Sequence, residues 1–234
     1  MKCLREYTIW VKITVICISL FYFAGCAQQE NTALKETAVQ ETKKQEETEV
    51  QVQVPSDKPI TEERIYYDFE NNLGGWEIPM WASGKSDYMA KDVIVSQDVA
   101  IHGNSSMKIS SDFLGGTWAA ALVEIQQYLD LSPYRVISAD VYIPQDAPMG
   151  LKAKIILTVG SNWKFVEMSR SVPLLPGEWV SITANIEPGS YDWKRIIPDE
   201  EFAEDIRKIA VRIESNKKPA YTGPIYIDKV RCGR

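Results

Sequence analysis

Trp118-Ala119-Ala120-Ala121-Leu122-Val123-Glu124-Ile125-Gln126 is the stretch on which the fold turns, because it reads twice, once for each parity. Ala119, Ala121, Val123 and Ile125 are small or branched and apolar, whereas Trp118, Ala120, Leu122, Glu124 and Gln126 mix aromatic, aliphatic and polar groups. Successive side chains of a strand point to opposite faces, so the first set predicts a core face and the second an outward one. The next apolar run repeats the pattern, with Ile137, Ala139, Val141 and Ile143 inward and Ser138, Asp140 and Tyr142 outward. Working outward, similar runs lie at 64–70, 90–96, 106–110, 151–159, 164–169, 179–186, 208–213 and 225–230, separated by Gly, Pro, Asn and Asp. Many short strands without a regular helical crossover predict an all-β chain, an antiparallel β-sandwich. A single short helix is expected at 198–207, where Asp199, Glu200 and Glu201 suit a helix start. The outward residues of both runs, rich in amides, carboxylates and aromatics, are read as one candidate working surface.

The sandwich opens at Tyr66-Tyr67-Asp68-Phe69-Glu70-Asn71-Asn72-Leu73-Gly74-Gly75-Trp76, a strand, a turn and a tryptophan. Phe69 and Trp76 are expected to anchor the core on size and position. What precedes this stretch has another character. Lys2, Arg5 and Lys12 are followed by an apolar run at 13–23, the length of a signal peptide rather than of a membrane span. Residues 27–59 are dominated by Gln, Glu, Thr, Lys and Ala with no aromatic, too little apolar surface to offset the entropy of ordering. The expected organisation is a leader over 1–25, a flexible tether over 26–59 and one folded domain over 60–234.

Composition bounds the function. The net charge is −6 and the folded part has no basic cluster, which argues against nucleic acid and suits a neutral polymer. The four cysteines are Cys3, Cys17, Cys26 and Cys232, and their spacing supplies neither a disulfide framework nor a zinc site. His102 is the only histidine, and no nucleophile elbow, phosphate loop or EF-hand loop occurs. Two opposed carboxylates would make a glycosidase, and Glu124, Asp140 and Glu167 are the acids available for that role. Asp68 and Glu70 share one face of the opening strand and either lie on the surface or meet a hard cation.

Two resemblances sharpen this reading. Phe23-Ala24-Gly25-Cys26 resembles the lipobox of bacterial lipoproteins, with phenylalanine in place of the usual leucine. It implies lipidation at Cys26 and an exported protein anchored to the bacterial cell envelope, at the outer membrane or cell surface. Asp68-Phe69-Glu70 with Gly75-Trp76, then 100–108, Ser138 to Pro144, 175–179 and 223–230 resemble, in order, the landmarks of carbohydrate-binding modules with the galactose-binding-like jelly-roll fold. The flavour is that of the mannan-binding modules found beside mannanases.

The second resemblance implies non-catalytic binding of a β-linked polysaccharide, mannan or glucan, by a monomeric domain. Pyranose faces stack on flat aromatics, and a few polar groups orient the hydroxyls. Six tryptophans follow Cys26. Trp81, Trp118 and Trp163 sit beside Gly or Ser and suit exposure; Tyr191 and Trp193 are read as an exposed pair on a long loop. Glu124, Gln126 and Tyr142 are candidate hydroxyl partners, while Trp179, after Pro176-Gly177-Glu178, is read as structural. The resemblance also implies a structural calcium held by Asp68, Glu70 and Asp228 with backbone carbonyls of Gly103 and Asn104. A sandwich-fold hydrolase or lyase, and an adhesion or assembly lipoprotein with a protein partner, remain alternatives.

Overall fold

A computed structural model describes residues 58–217 and 219–234. The leader, Cys26 and nearly all of the expected tether lie outside the described residues. The elements, in order, are β1 (Glu63–Tyr67), α1 (Met80–Ser83), β2 (Ala90–Ser96), β3 (Ser106–Phe113), β4 (Trp118–Leu129), β5 (Val136–Tyr142), β6 (Leu151–Val159), β7 (Lys164–Glu167), β8 (Val172–Pro173), β9 (Trp179–Asn185), β10 (Ile206–Asn216) and β11 (Tyr221–Gly233).

Two antiparallel sheets result. One runs β2-β3-β11-β5-β9 with β1 added along the end of β11; the other runs β4-β10-β6-β7 with β8 beside β6. The core lies between them. Ala119, Ala121, Val123 and Ile125 of β4 pack with Leu151, Ala153, Ile155 and Leu157 of β6 and with Ile137, Ala139 and Val141 of β5 in one buried cluster. The sandwich expected from parity is therefore the observed fold. Phe69 and Trp76 are each 2 % exposed within that cluster, as their size suggests, and Cys232 is a buried free thiol at the end of β11.

Two expectations fail. Within 198–207, residues 200–204 form turns and Ile206 begins β10, and the described helix is instead the single turn α1. The acidic start had no apolar stripe behind it: Ile206, Ile209, Val211 and Ile213 instead complete a strand that pairs with both β4 and β6. The second correction concerns faces. β4 and β5 belong to different sheets, so their outward residues look away from each other and do not form one surface.

Candidate carbohydrate-binding cleft

On the outer face of the β4-β10-β6-β7 sheet, register places Glu124, Ala210, Ile156 and Glu167 in one row across four strands. The neighbouring rows are Leu122-Arg212-Lys154 and Gln126-Lys208-Thr158-Phe165. Leu122, Ile156 and Ala210 form a small apolar cluster separate from the main core. They floor a cleft of about 230 Å³ lined also by Trp81, Trp163, Phe165, Glu124, Thr158 and Lys208.

The walls come from two places. One is the arch between Trp76 and β2, which is pinned to the outer edge of β4 at both ends. Glu77 and Glu124 exchange backbone hydrogen bonds of 2.9 Å, while the Met89 amide donates to Ala120 and the Ala120 amide to Asp87. This covers a strand edge that would otherwise offer unpaired groups. At the crest, α1 buries Ala82 and leaves Trp81 42 % exposed. The Trp81 ring meets Tyr88 edge-on at 5.1 Å, with the Lys85 ammonium 4.9 Å from its centre. Large aromatics in such edge-to-face pairs are held without being covered.

The other wall is the β6–β7 hairpin. Trp163 is 40 % exposed and Phe165 57 %. Trp163 closes the turn by donating its amide to the Gly160 carbonyl and takes φ of 55°, the left-handed region. A bulky residue there costs on the order of 1–2 kcal/mol, and such strain collects at functional positions. Its ring meets Tyr128 edge-on at 6.2 Å, and the Arg207 guanidinium, itself held by Asp205, lies 5.0 Å from its centre.

The charged groups of the cleft are Glu124 and Lys208, joined at 2.6 Å. Beyond the floor, Glu167 accepts from Arg212 at 2.6 Å and Lys194 at 2.7 Å, and Lys154 and Glu214 complete the cluster. Burial alone would raise the Glu167 carboxyl, but hydrogen bonds from Lys194 and Arg212 and the charges of Arg212 and Lys154 hold it below the usual range. Burial pushes the Lys154 ammonium down, against the pull of Glu214 and Glu167.

Of the aromatic residues expected to meet sugar, Trp81 and Trp163 line this cleft, as does Glu124. Trp118 stands on the same sheet face near its other end, half-buried, with Tyr88 at 6.1 Å and Arg212 at 5.7 Å. Gln126 is exposed in the row of Lys208 and Phe165. Tyr191, 68 % exposed, lines a separate hollow with Met168, Ser169, Arg170 and Asp192 at the sheet edge beyond β7. Trp193 corrects the expectation of an exposed pair: it is 3 % exposed, packs on Phe202 and donates its indole N–H to the Asn185 carbonyl at 2.7 Å. Tyr142 lies on the opposite sheet, between Trp179 and Tyr226. Phe165 and Lys208 were overlooked. Parity held the signal for Phe165, which alternates with the buried Val166 and Met168.

The three acids weighed for hydrolysis are each committed to a cation and do not share a cleft. Glu124 pairs with Lys208, Glu167 with Arg212, and Asp140, on the other sheet, with Arg231 at 2.7 Å.

Two of the three expected carboxylate ligands, Glu70 and Asp228, meet one loop. Glu70 accepts the amides of Asn104 and Ser105 at 2.9 and 3.0 Å. The buried Asp228 accepts those of Ile101 and His102, both at 3.0 Å. A Cβ on Gly103, at φ +65°, would stand 2.3 Å from the Glu70 carboxylate and push it off the Asn104 and Ser105 amides, which favours glycine there. Asp68 caps the Glu70 amide at 3.2 Å. Among the described residues no three His, Cys, Asp or Glu side chains converge as a metal cluster. The loop turns its amides to both carboxylates; in donor type, carboxylate oxygens suit a hard cation.

No family model matches the chain, and no curated protein sequence matches it. Solved structures do. The chain is similar to the CBM27-1 module of Caldicellulosiruptor saccharolyticus, solved in complex with mannohexaose, at 21 % identity and a TM-score of 0.51, over 73 % of this chain and 96 % of that one. It is similar also to CBM28, a non-crystalline cellulose specific carbohydrate-binding module, at 14 % identity and a TM-score of 0.52, over 74 % and 96 %. The fold is that of the β-sandwich carbohydrate-binding modules.

Proposed function

We propose that this chain is a non-catalytic carbohydrate-binding protein that holds a β-linked polysaccharide of mannan or glucan type in the cleft on the β4-β10-β6-β7 face. The observation that carries the reading is a pair of half-exposed tryptophans, Trp81 and Trp163, lining one apolar-floored cleft. Rings that the fold holds but does not cover suit pyranose faces, and the Glu124–Lys208 pair offers acceptor and donor to hydroxyls. The fold shared with a module solved with mannohexaose supports the same reading. Lipidation at Cys26 and the charged tether would place the domain at the cell envelope, within reach of a polymer outside.

Affinity electrophoresis in mannan, glucan and xylan gels tests the proposal. Trp81→Ala and Trp163→Ala are expected to weaken binding at least about tenfold each, some 1.4 kcal/mol per site. Unchanged retardation of both variants, or no retardation of the parent, rejects it.

Calcium belongs to the proposal as a structural ion. Asp68, Glu70 and Asp228, with the Gly103 and Asn104 carbonyls, would hold it, and it would supply a charged tie between the start of the domain and its last strand. Thermal unfolding with and without a chelator reads this out. An unchanged Tm means that the carboxylates hold the loop through the amides alone.

A further inference from the structure

The floor of the cleft changes character within one strand period. Leu122 pairs across the strands with Arg212, and Arg212 with Lys154; Ile156 pairs with Glu167. Directly opposed side chains stand about 5 Å apart, and same-face neighbours along a strand about 7 Å. A polysaccharide lying on Leu122 and Ile156 therefore meets the charged cluster with its next residue.

That cluster is unbalanced. Lys154, Arg212 and Lys194 face Glu167 and Glu214. Around them Lys152 stands exposed in register with Glu214, and Lys85 lies over Trp81 and Tyr88, while Asp87 is the further acid that acts on Tyr88. Among the described residues named here, five cations thus meet three carboxylates on a chain whose net charge is −6. In the apolar half, by contrast, Glu124 and Lys208 neutralise each other.

A second observation is independent of this tally. Arg212 is 9 % exposed, and its Nε–H is buried with no acceptor among the described residues. An unsatisfied guanidinium N–H costs on the order of 1–3 kcal/mol, so this guanidinium, although its Nη2 reaches Glu167 and Glu214, keeps one donor without an acceptor. Arginine is suited to carboxylate, whose two oxygens match its planar donors.

Resting on the cleft as the glycan site, we propose that this half of the face takes a carboxylate-bearing sugar, so that the ligand class is an acidic, uronate-substituted polysaccharide with a β-linked backbone on the apolar half. Lys194, with half of its side chain exposed, and Lys152 are the accessible cations that meet the anion first, and Arg212 and Lys154 set the field beneath them.

The test compares one polymer in two forms, a glucuronate-substituted xylan before and after its carboxyl groups are reduced to alcohols, with neutral mannan alongside. The native form is expected to bind at least about tenfold more tightly at low salt, and the advantage should shrink as salt screens it. The double variant Lys152→Gln, Lys194→Gln, at exposed positions, should lose most of that advantage while retaining its affinity for the reduced polymer. Equal affinity for the two forms overturns the proposal and leaves glycan binding standing. Failure of every polymer, mannan included, overturns both.

Discussion

At the scale of single residues, the tryptophans divide by what surrounds them rather than by type. Trp81 and Trp163 are propped by edge-to-face rings and left open, whereas Trp193 is enclosed and its indole N–H satisfied. Opposite outcomes are expected on truncation. Trp193→Ala should lower unfolding stability by about 3–5 kcal/mol, seen in urea denaturation, and weaken glycan binding only through misfolding. Trp81→Ala should shift stability by less than about 1 kcal/mol and abolish most of the affinity. The local sequences of the two gave little to separate them: Trp81 precedes Ala-Ser-Gly and Trp193 follows Ser-Tyr-Asp, both plausible loops. Burial of Trp193 comes from Phe202 and the Asn185 carbonyl, partners brought together only by the folded chain.

At the scale of elements, β10 decides the site. It lies between β4 and β6 and contributes Ala210 to the floor, Lys208 to the cleft and Arg212 to the charged half. A small residue at Ala210 keeps the floor of the proposed binding cleft open. Ala210→Tyr is therefore expected to fill the cleft and cut affinity by at least about tenfold in affinity gels, with the far-ultraviolet circular dichroism unchanged. One position along, Val211 points into the core of a central strand. Val211→Pro removes a ladder donor there and should leave no folded domain. The arch carrying α1 shows the same dependence on pairing. Nothing in the stretch 77–89 announces a strand, yet two backbone bridges to β4 fix Trp81 over the face.

At the scale of the whole molecule, charge is distributed unevenly over a sandwich whose two outer faces differ. Ion pairs tie its central strands together, and the acid response follows from them. The folded Glu167 carboxyl is held below its ordinary value of 4.5, so the unfolded chain takes up its proton first. Its contribution is fully present above that value and is lost as pH falls through the depressed folded pKa. Denaturation midpoints measured from neutral pH down through 4.5 should fall for the parent, and Glu167→Gln should start lower and fall less steeply.

The sequence by itself determined the sandwich, because parity in 118–126 and 136–143 separates inward from outward side chains without reference to any partner strand. It also determined Phe69 and Trp76 as core, from bulk and from position at the first turn. Parity cannot say which sheet a strand joins. That depends on pairings between residues more than 80 apart, such as Glu124 with Ala210, and these set Tyr142 on one outer face and Trp81, Trp163, Phe165 and Glu124 together on the other. The proposed working surface is a product of that non-local register, which only the tertiary structure decided.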